Sequence, residues 1–397
     1  MKKITISFVL LMLCASFALG ATGDLTFMKQ PPPTRSSARM YVSGFKLAGV
    51  DKAKGLVNKN ALVGTLRGAA GAVMVAIDAA KADATKPELI RLDFSGTGMF
   101  KDAPTAPIKM RPAQRNVTMG MIGPVVINAK RDGQSIPVTL QGTYWKQGTR
   151  RGLSLMMTVV VEGSCKFGTK TYPVRIIDGN GNLKFADALK PPFRPSTMMP
   201  FDRVMVGTDD GKFSSGAATA YIGQPIFIDG KLYSVDISGM KIKAAAMDVA
   251  VGSVKVDSPR WNCTLVGKKY FLTVSGGKEA INVPADEYQT ANYTLYTSNT
   301  PGKRSAYIRG YGSYRGGKSF TVSSGKTAAL PIGAPIEATV TSSNSKGKVR
   351  MNLLMKDSLG GRISSIANAA GQRPAPPSIQ VIDKAGKVVY TAKLGYG

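Results

Sequence analysis

One loop occurs twice in this chain, each time straight after an apolar run that reads as a strand. Residues 93–103 run Asp93-Phe94-Ser95-Gly96-Thr97-Gly98-Met99-Phe100-Lys101-Asp102-Ala103. Residues 178–188 run Asp178-Gly179-Asn180-Gly181-Asn182-Leu183-Lys184-Phe185-Ala186-Asp187-Ala188. Both follow the pattern D-x-[SN]-G-[TN]-x-x-F-x-D-A, and a worn third copy lies at Thr208–Phe213. Such a pattern implies duplicated strand–loop units.

Two chemistries fit these loops. Closely spaced Asp and Asn oxygens with intervening glycines suit Ca2+, which takes six to eight hard oxygens. Asp93, Asp102, Asp178, Asn180, Asn182 and Asp187 are the candidate ligands. The loop is not an EF-hand: Leu183 and Leu189 occupy positions where that motif needs glycine and glutamate. With two formal charges per loop, calcium affinity would be weak. The other reading is a turn closed by Asx-type side-chain to backbone hydrogen bonds, with the phenylalanine packed beneath.

The texture beyond residue 38 is β throughout. Ile136–Gln141, Leu153–Glu162 and Lys231–Ile237 alternate or are β-branched, and Gly, Asn, Asp and Pro punctuate them at short spacing. The alanine-rich stretch Thr65–Lys81 holds Gly68, Gly71 and Val73–Ile77, which favours strand over helix. Gly-Lys turns followed by tyrosine recur at Gly230-Lys231-Leu232-Tyr233, Gly168…Tyr172, Gly267…Tyr270 and Gly386…Tyr390 and read as hairpins. The fold class expected is mostly β, in tandem sandwich or Ig-like modules.

The N-terminus reads as an export signal: Lys2 and Lys3, an apolar run to Phe17, and small residues before Ala21. The expected organisation is a signal peptide over 1–20, a Pro-rich linker over 21–37, and a repeated β region over 38–258. A sandwich over 259–329 and a C-terminal β module over 330–397 complete it. No later apolar run is long enough to form a spanning helix. Export points to the envelope or extracellular space, and there an even cysteine pair is a disulfide candidate. Cys165 and Cys263 are that pair, the alternative being two separate buried thiols.

The chain has no histidine, which excludes Ser-His-Asp and Cys-His catalysis and His-ligated zinc. Its formal net charge is +29. From Tyr288 onward 15 Lys/Arg face three acids. A chain so charged attracts polyanions. The densest basic-aromatic stretch holds Lys303, Arg304, Tyr307, Arg309, Tyr311, Tyr314, Arg315 and Lys318. Tyr307, Arg309 and Tyr311 have same-face spacing on a strand. Rings beside guanidinium groups suit stacking on sugars and pairing with sulfate, phosphate or carboxylate. The alternative is a hairpin with its rings in the core and a solvated basic face.

The stretch Val283-Pro284-Ala285-Asp286-Glu287-Tyr288 resembles the V-P-A-G-x-Y corner of transthyretin-like and carboxypeptidase-regulatory-like modules, with Asp286 in place of the glycine. More broadly, the order of parts is similar to that of secreted bacterial multi-module β proteins. The resemblance implies a β-sandwich and an exported setting, and carries no activity with it.

The functional expectation is therefore a non-catalytic exported binding or structural protein. Its expected partners are anionic polymers or glycans, or an acidic envelope protein, with nucleic acid an unlikely ligand outside the cell. A carboxylate-dependent polysaccharide-active enzyme with accessory sandwiches, and a protein–protein scaffold, are the alternatives.

Overall fold

The computed structural model describes residues 22–31, 38–43, 46–47, 55–58, 60–66, 73–82, 84–112, 116–131, 133–193, 201–208, 210–213, 217–298, 305–312, 317–333, 335–345 and 348–393. Among them there is no helix, and the elements are antiparallel strands almost throughout.

The first region comprises β1 (Thr22–Phe27), β2 (Ala38–Ser43), β3 (Lys46–Leu47), β4 (Leu62–Thr65), β5 (Met74–Asp78), β6 (Leu89–Asp93), β7 (Thr105–Met110), β8 (Val117–Arg131) and β9 (Gln134–Gln147). It continues with β10 (Arg150–Thr158), β11 (Val160–Phe167), β12 (Lys170–Ile177), β13 (Arg203–Val206), β14 (Ala218–Tyr221), β15 (Ile226–Ile228), β16 (Lys231–Ser238) and β17 (Lys241–Ala246). These strands build two sheets, ordered β2-β10-β9-β8-β7-β6-β5-β4-β3 and β14-β13-β12-β11-β1-β17-β16-β15.

Both sheets must curl. In the second, edge strands β14 and β15 are joined by only residues 222–225. Flat, those edges would stand about 34 Å apart at the usual spacing of about 4.8 Å per strand. Four connecting residues reach only about 17 Å. The same argument applies to β2 and β3, which are sequence neighbours at opposite edges of the nine-stranded sheet. The result is a near-barrel beside a half-barrel. β10 and β11 are one long strand interrupted at Val159, passing from one sheet to the other. Their inward side chains form one continuous core, from Leu62 and Ile90 through Leu140 and Val161 to Ile242.

β18 (Val251–Lys255), β19 (Arg260–Val266), β20 (Phe271–Gly276), β21 (Ile281–Pro284), β22 (Asp286–Tyr296), β23 (Tyr307–Tyr311), β24 (Phe320–Val322), β25 (Thr327–Ala329), β26 (Glu337–Ser345), β27 (Lys348–Lys356) and β28 (Arg362–Ala367) form a sandwich. Its small sheet is β21-β18-β25; its large sheet is β20-β19-β22-β23-β28-β27-β26, with β24 added to β22. Val254, Val283 and Leu330 from one side meet Trp261, Tyr293 and Ile363 from the other in a separate core. The Tyr288 hydroxyl donates to the Pro284 carbonyl at 2.8 Å, so the tyrosine of the V-P-A corner closes back on its own turn. The hairpin β29 (Ser378–Ile382) and β30 (Val388–Lys393) ends the described chain.

All four Gly-Lys hairpins form where expected, between β11 and β12, β15 and β16, β19 and β20, and β29 and β30. Met74–Asp78 is strand, as expected.

Three boundaries need correction. Residues 22–27 are not linker: β1 lies between β11 and β17 with Leu25 buried. The break after the repeated region falls near residue 250 rather than 258, because β18 pairs with β21 and β25 of the sandwich. Residues 330–367 are not a separate module, since β28 pairs with β23 and Leu330, Ile332 and Ile363 share the sandwich core.

Region and sandwich meet through a small aromatic cluster of Tyr221, Phe193, Phe201 and Phe271. Gln224 crosses the seam, accepting from the Phe271 N–H at 2.7 Å and donating to the Leu189 carbonyl at 2.7 Å.

Candidate functional site

The duplicated loops adopt one geometry. Asp93 accepts from the Ser95 and Gly98 N–H groups at 2.9 and 2.7 Å. Asp178 accepts from those of Asn180 and Leu183 at 3.0 and 2.7 Å, the same two offsets, and additionally from Gly181 at 2.6 Å. The fourth position is left-handed in both, Gly96 with φ 72° and Gly181 with φ 73°. So is the sixth, Gly98 with φ 79° and Leu183 with φ 62°. Phe100 and Phe185 are buried beneath.

Beyond the first aspartate the loops diverge. Asp187 accepts from the side-chain amides of Asn180 and Asn182 at 2.9 and 2.6 Å, whereas Asp102 is exposed. The Asn180 and Asn182 oxygens accept from the Asn182 and Lys184 N–H groups. A further carboxylate, Asp202, joins the second loop by accepting from the Gly179 and Asp187 N–H groups at 3.0 and 2.9 Å. Asp178 and Asp202 have no solvent exposure. Burial raises the pKa of both, reinforced at Asp202 by the Asp178 charge and opposed in each by the backbone donors. Apart from the exposed Asp102, the oxygens expected to face a cation therefore face N–H groups of their own loop, and a cation would have to displace those groups. Among the described residues no group of three or more His, Cys, Asp or Glu side chains is placed to hold a metal. The worn third copy folds differently, as a turn where Asp210 pairs with Lys212 at 2.6 Å.

The basic-aromatic stretch is only partly described: Lys303, Arg304, Tyr314 and Arg315 lie outside the described residues. Lys318 is exposed and its N–H donates to the Leu359 carbonyl, beside the turn between β27 and β28. Tyr307, Arg309 and Tyr311 lie on β23 with the spacing expected.

Register shows which face they occupy. Trp261, Leu295, Ile308 and Ile366 form one cross-strand row, Cys263, Tyr293, Gly310 and Ile363 another, and both rows turn toward the core. Gly310 is needed here, because a Cβ would stand 2.3 Å from the Tyr293 ring. That ring passes over the glycine so that its hydroxyl donates to Asp357 at 2.6 Å.

The alternate residues form the opposite face, in three rows. They are Arg260-Tyr296-Tyr307-Ala367, Asn262-Thr294-Arg309-Ser365 and Thr264-Asn292-Tyr311-Arg362. Thr264, Thr294 and Ala367 are buried there, while Asn292, Arg309, Tyr311 and Arg362 are exposed. The Arg260 guanidinium stacks on the Tyr296 ring at 3.9 Å and that of Arg309 lies 5.6 Å from the Tyr307 ring centroid. The two tyrosine rings are 6.5 Å apart. No carboxylate occupies these twelve positions, and among the described residues Arg260, Arg309 and Arg362 make no ion pair. Elsewhere Arg91 pairs with Asp78 at 2.8 Å and Arg175 with Glu162. Three unneutralised guanidinium groups beside aromatic rings and amide side chains can pair with anions while stacking on flat apolar surfaces.

Arg260, Tyr296 and Arg362 were not among the expected residues. The alternation Arg260-Trp261-Asn262-Cys263-Thr264 does carry a signal, polar against apolar, but its pairing with β22, and through β22 its alignment with β23, is set by tertiary structure.

Cys165 and Cys263 are free thiols and are not bonded to each other. Cys165 lies in the core of the barrels and Cys263 in that of the sandwich, so each packs as a small apolar side chain in a different core. Burial pushes the Cys165 thiol up to about 11 and that of Cys263 higher still.

No protein-family model, curated protein or solved structure matches the chain. No helix among the described residues is long and apolar enough to cross a membrane.

Proposed function

We propose that this is a non-catalytic exported protein of the envelope or extracellular space that binds polyanionic chains, acidic glycans foremost, on the outward face of its C-terminal sandwich. One observation carries the reading: Arg260, Arg309 and Arg362 stand among Tyr296, Tyr307 and Tyr311 on a sheet face without a carboxylate. The net charge of +29 draws such chains toward the protein from a distance, and the face supplies the contacts at close range. The side-chain amides of Asn262 and Asn292 add hydrogen bonds suited to sugar hydroxyls. The reading as a carboxylate-dependent hydrolase finds less support, because Asp178 and Asp202 are closed to solvent and bonded to backbone. Retention on a sulfated-polysaccharide matrix tests the proposal. The protein should elute only at raised salt, and the Arg309→Ala/Arg362→Ala variant clearly earlier. Equal elution of the two would refute this surface. Retention only by an acidic protein would favour the scaffold alternative.

A further inference from the structure

The curled nine-stranded sheet is hollow at one end of its core. Gly120, Tyr144 and Leu153 form a cross-strand row on β8, β9 and β10, and Tyr144 and Leu153 belong to the core. Two residues away along each strand, on the same face, stand Thr118, Lys146 and Arg151. The facing wall comes from β4 and β5, where Leu62 and Ile77 share that core, and from residues 84–87. Between these walls lies a recess of about 110 Å3. That is the share of about four water molecules at about 30 Å3 each, room for a small ion and not for an extended chain. The mouth of a barrel is a common place for a ligand site.

The recess is cationic. Lys86, Lys146 and Arg151 line it, and among the described residues none of the three makes an ion pair. Lys146 and Arg151 are direct cross-strand partners, and like charges so placed are destabilising. An anion between them would turn that repulsion into attraction. Asp78 also lines the recess, but its side chain has no exposure. It accepts from the Arg91 Nε at 2.8 Å and from the N–H groups of Val57, Asn58 and Ala79, so its charge is already balanced. Tyr144 lines the recess from the core side: it is 2% exposed, and its hydroxyl makes no hydrogen bond among the described residues. Burial raises its pKa, opposed by the charge of Arg151, so the hydroxyl keeps a proton to donate.

We propose that this recess binds a tetrahedral oxyanion, a phosphate or sulfate group, held by Lys86, Lys146 and Arg151 with the Tyr144 hydroxyl donating from the core side. Oxygens that point in four directions suit donors on two facing walls, and charge-assisted hydrogen bonds to them are the strong ones. The volume takes the group as a free ion or as the end of an ester whose remainder stays outside. No residue of the arginine-tyrosine face of the sandwich lines the recess, so this site is independent of the polyanion surface.

The test is calorimetric titration of the full chain with inorganic phosphate, at constant ionic strength in chloride. Lys146→Gln and Lys86→Gln, both at exposed positions, should each weaken phosphate binding about tenfold, the worth of one charge-assisted hydrogen bond. Tyr144→Phe, which removes only the hydroxyl, should weaken it about fivefold. Acetate should bind at least about tenfold more weakly than phosphate. Glycerol phosphate separates the two sources: tighter binding than phosphate assigns an ester end group, and weaker binding a free ion. Phosphate should raise the melting temperature of the unaltered protein and leave that of Lys146→Gln almost unmoved. Melts in chloride alone establish that each variant is folded. Arg309→Ala/Arg362→Ala should bind phosphate as the unaltered protein does, so this site and the polyanion surface fail or stand separately. Absence of phosphate binding at millimolar concentration would overturn the proposal, as would equal affinity for acetate or undiminished binding by Lys146→Gln and Lys86→Gln.

Discussion

Replacing Asp178 by alanine should cost more than any other single change in the duplicated loops. The carboxylate is fully buried and accepts three backbone N–H groups, from Asn180, Gly181 and Leu183, at 2.6–3.0 Å. Alanine leaves all three without an acceptor. An unsatisfied buried donor costs about 1–3 kcal/mol. Water entering the vacated space recovers part of that, and removing one of two neighbouring carboxylates relieves Asp202. The net loss should be about 2–5 kcal/mol, a large share of the roughly 5–15 kcal/mol that separates folded from unfolded chains. Leu183 adds to the sensitivity: its left-handed φ of 62° costs energy that the bond to Asp178 helps offset. Asp178→Asn keeps one acceptor oxygen and should lose about half as much. Asp102→Ala, at the exposed counterpart of Asp187, should stay within about 0.5 kcal/mol of the unaltered protein. Equilibrium urea unfolding measures all three, with midpoints read by near-ultraviolet circular dichroism. Millimolar calcium should leave the midpoints where EDTA does. An Asp178→Ala midpoint equal to that of the unaltered protein would refute the reasoning. So would a calcium-dependent rise that this variant abolishes, which would make the loops metal sites.

Other consequences follow from buried groups. Asp178 and Asp202 have folded-state pKa values raised by burial, Asp202 to about 8, so both bind protons more tightly folded than unfolded. Their contribution is fully present below the ordinary carboxylate range and is lost as pH rises toward about 8. The melting temperature should fall across that window, and Asp202→Asn should flatten the fall. Gly310→Ala should force the Tyr293 ring off its path to Asp357 and cost about 1–3 kcal/mol in urea unfolding, whereas a loss below 0.5 kcal/mol would contradict the contact. Cys165 and Cys263 should resist a thiol reagent in the native protein and react together on unfolding, without prior reduction. A requirement for reductant would restore the disulfide.

The β class was legible because alternation and Gly-Lys turns act locally, and the hairpins formed where those signals stood. The Asp93 and Asp178 loops were legible as repeats, and their shared hydrogen-bond offsets show why the pattern recurs. That Leu183 takes the backbone conformation of Gly98 was not legible, since leucine rarely adopts it. Asp202 was invisible as a loop partner because it stands 15 residues beyond Asp187, outside the repeated pattern, and no short motif marks it. The Thr22–Phe27 segment was misread through its proline-rich neighbours; its place depends on β11 and β17, more than 130 residues away in the chain. The outward face was half legible: Tyr307, Arg309 and Tyr311 announce themselves on one strand, while Arg260, Tyr296 and Arg362 join them only through cross-strand register.

The salt dependence of binding to a defined sulfated oligosaccharide tests the central claim most directly. Each arginine pairing with a sulfate releases counterions, so log K should fall linearly with log salt. The account predicts a steep slope for the unaltered protein, and a shallower one, by about one unit per arginine, for Arg309→Ala and Arg362→Ala. Identical slopes for the three proteins, or binding indifferent to salt, would contradict it.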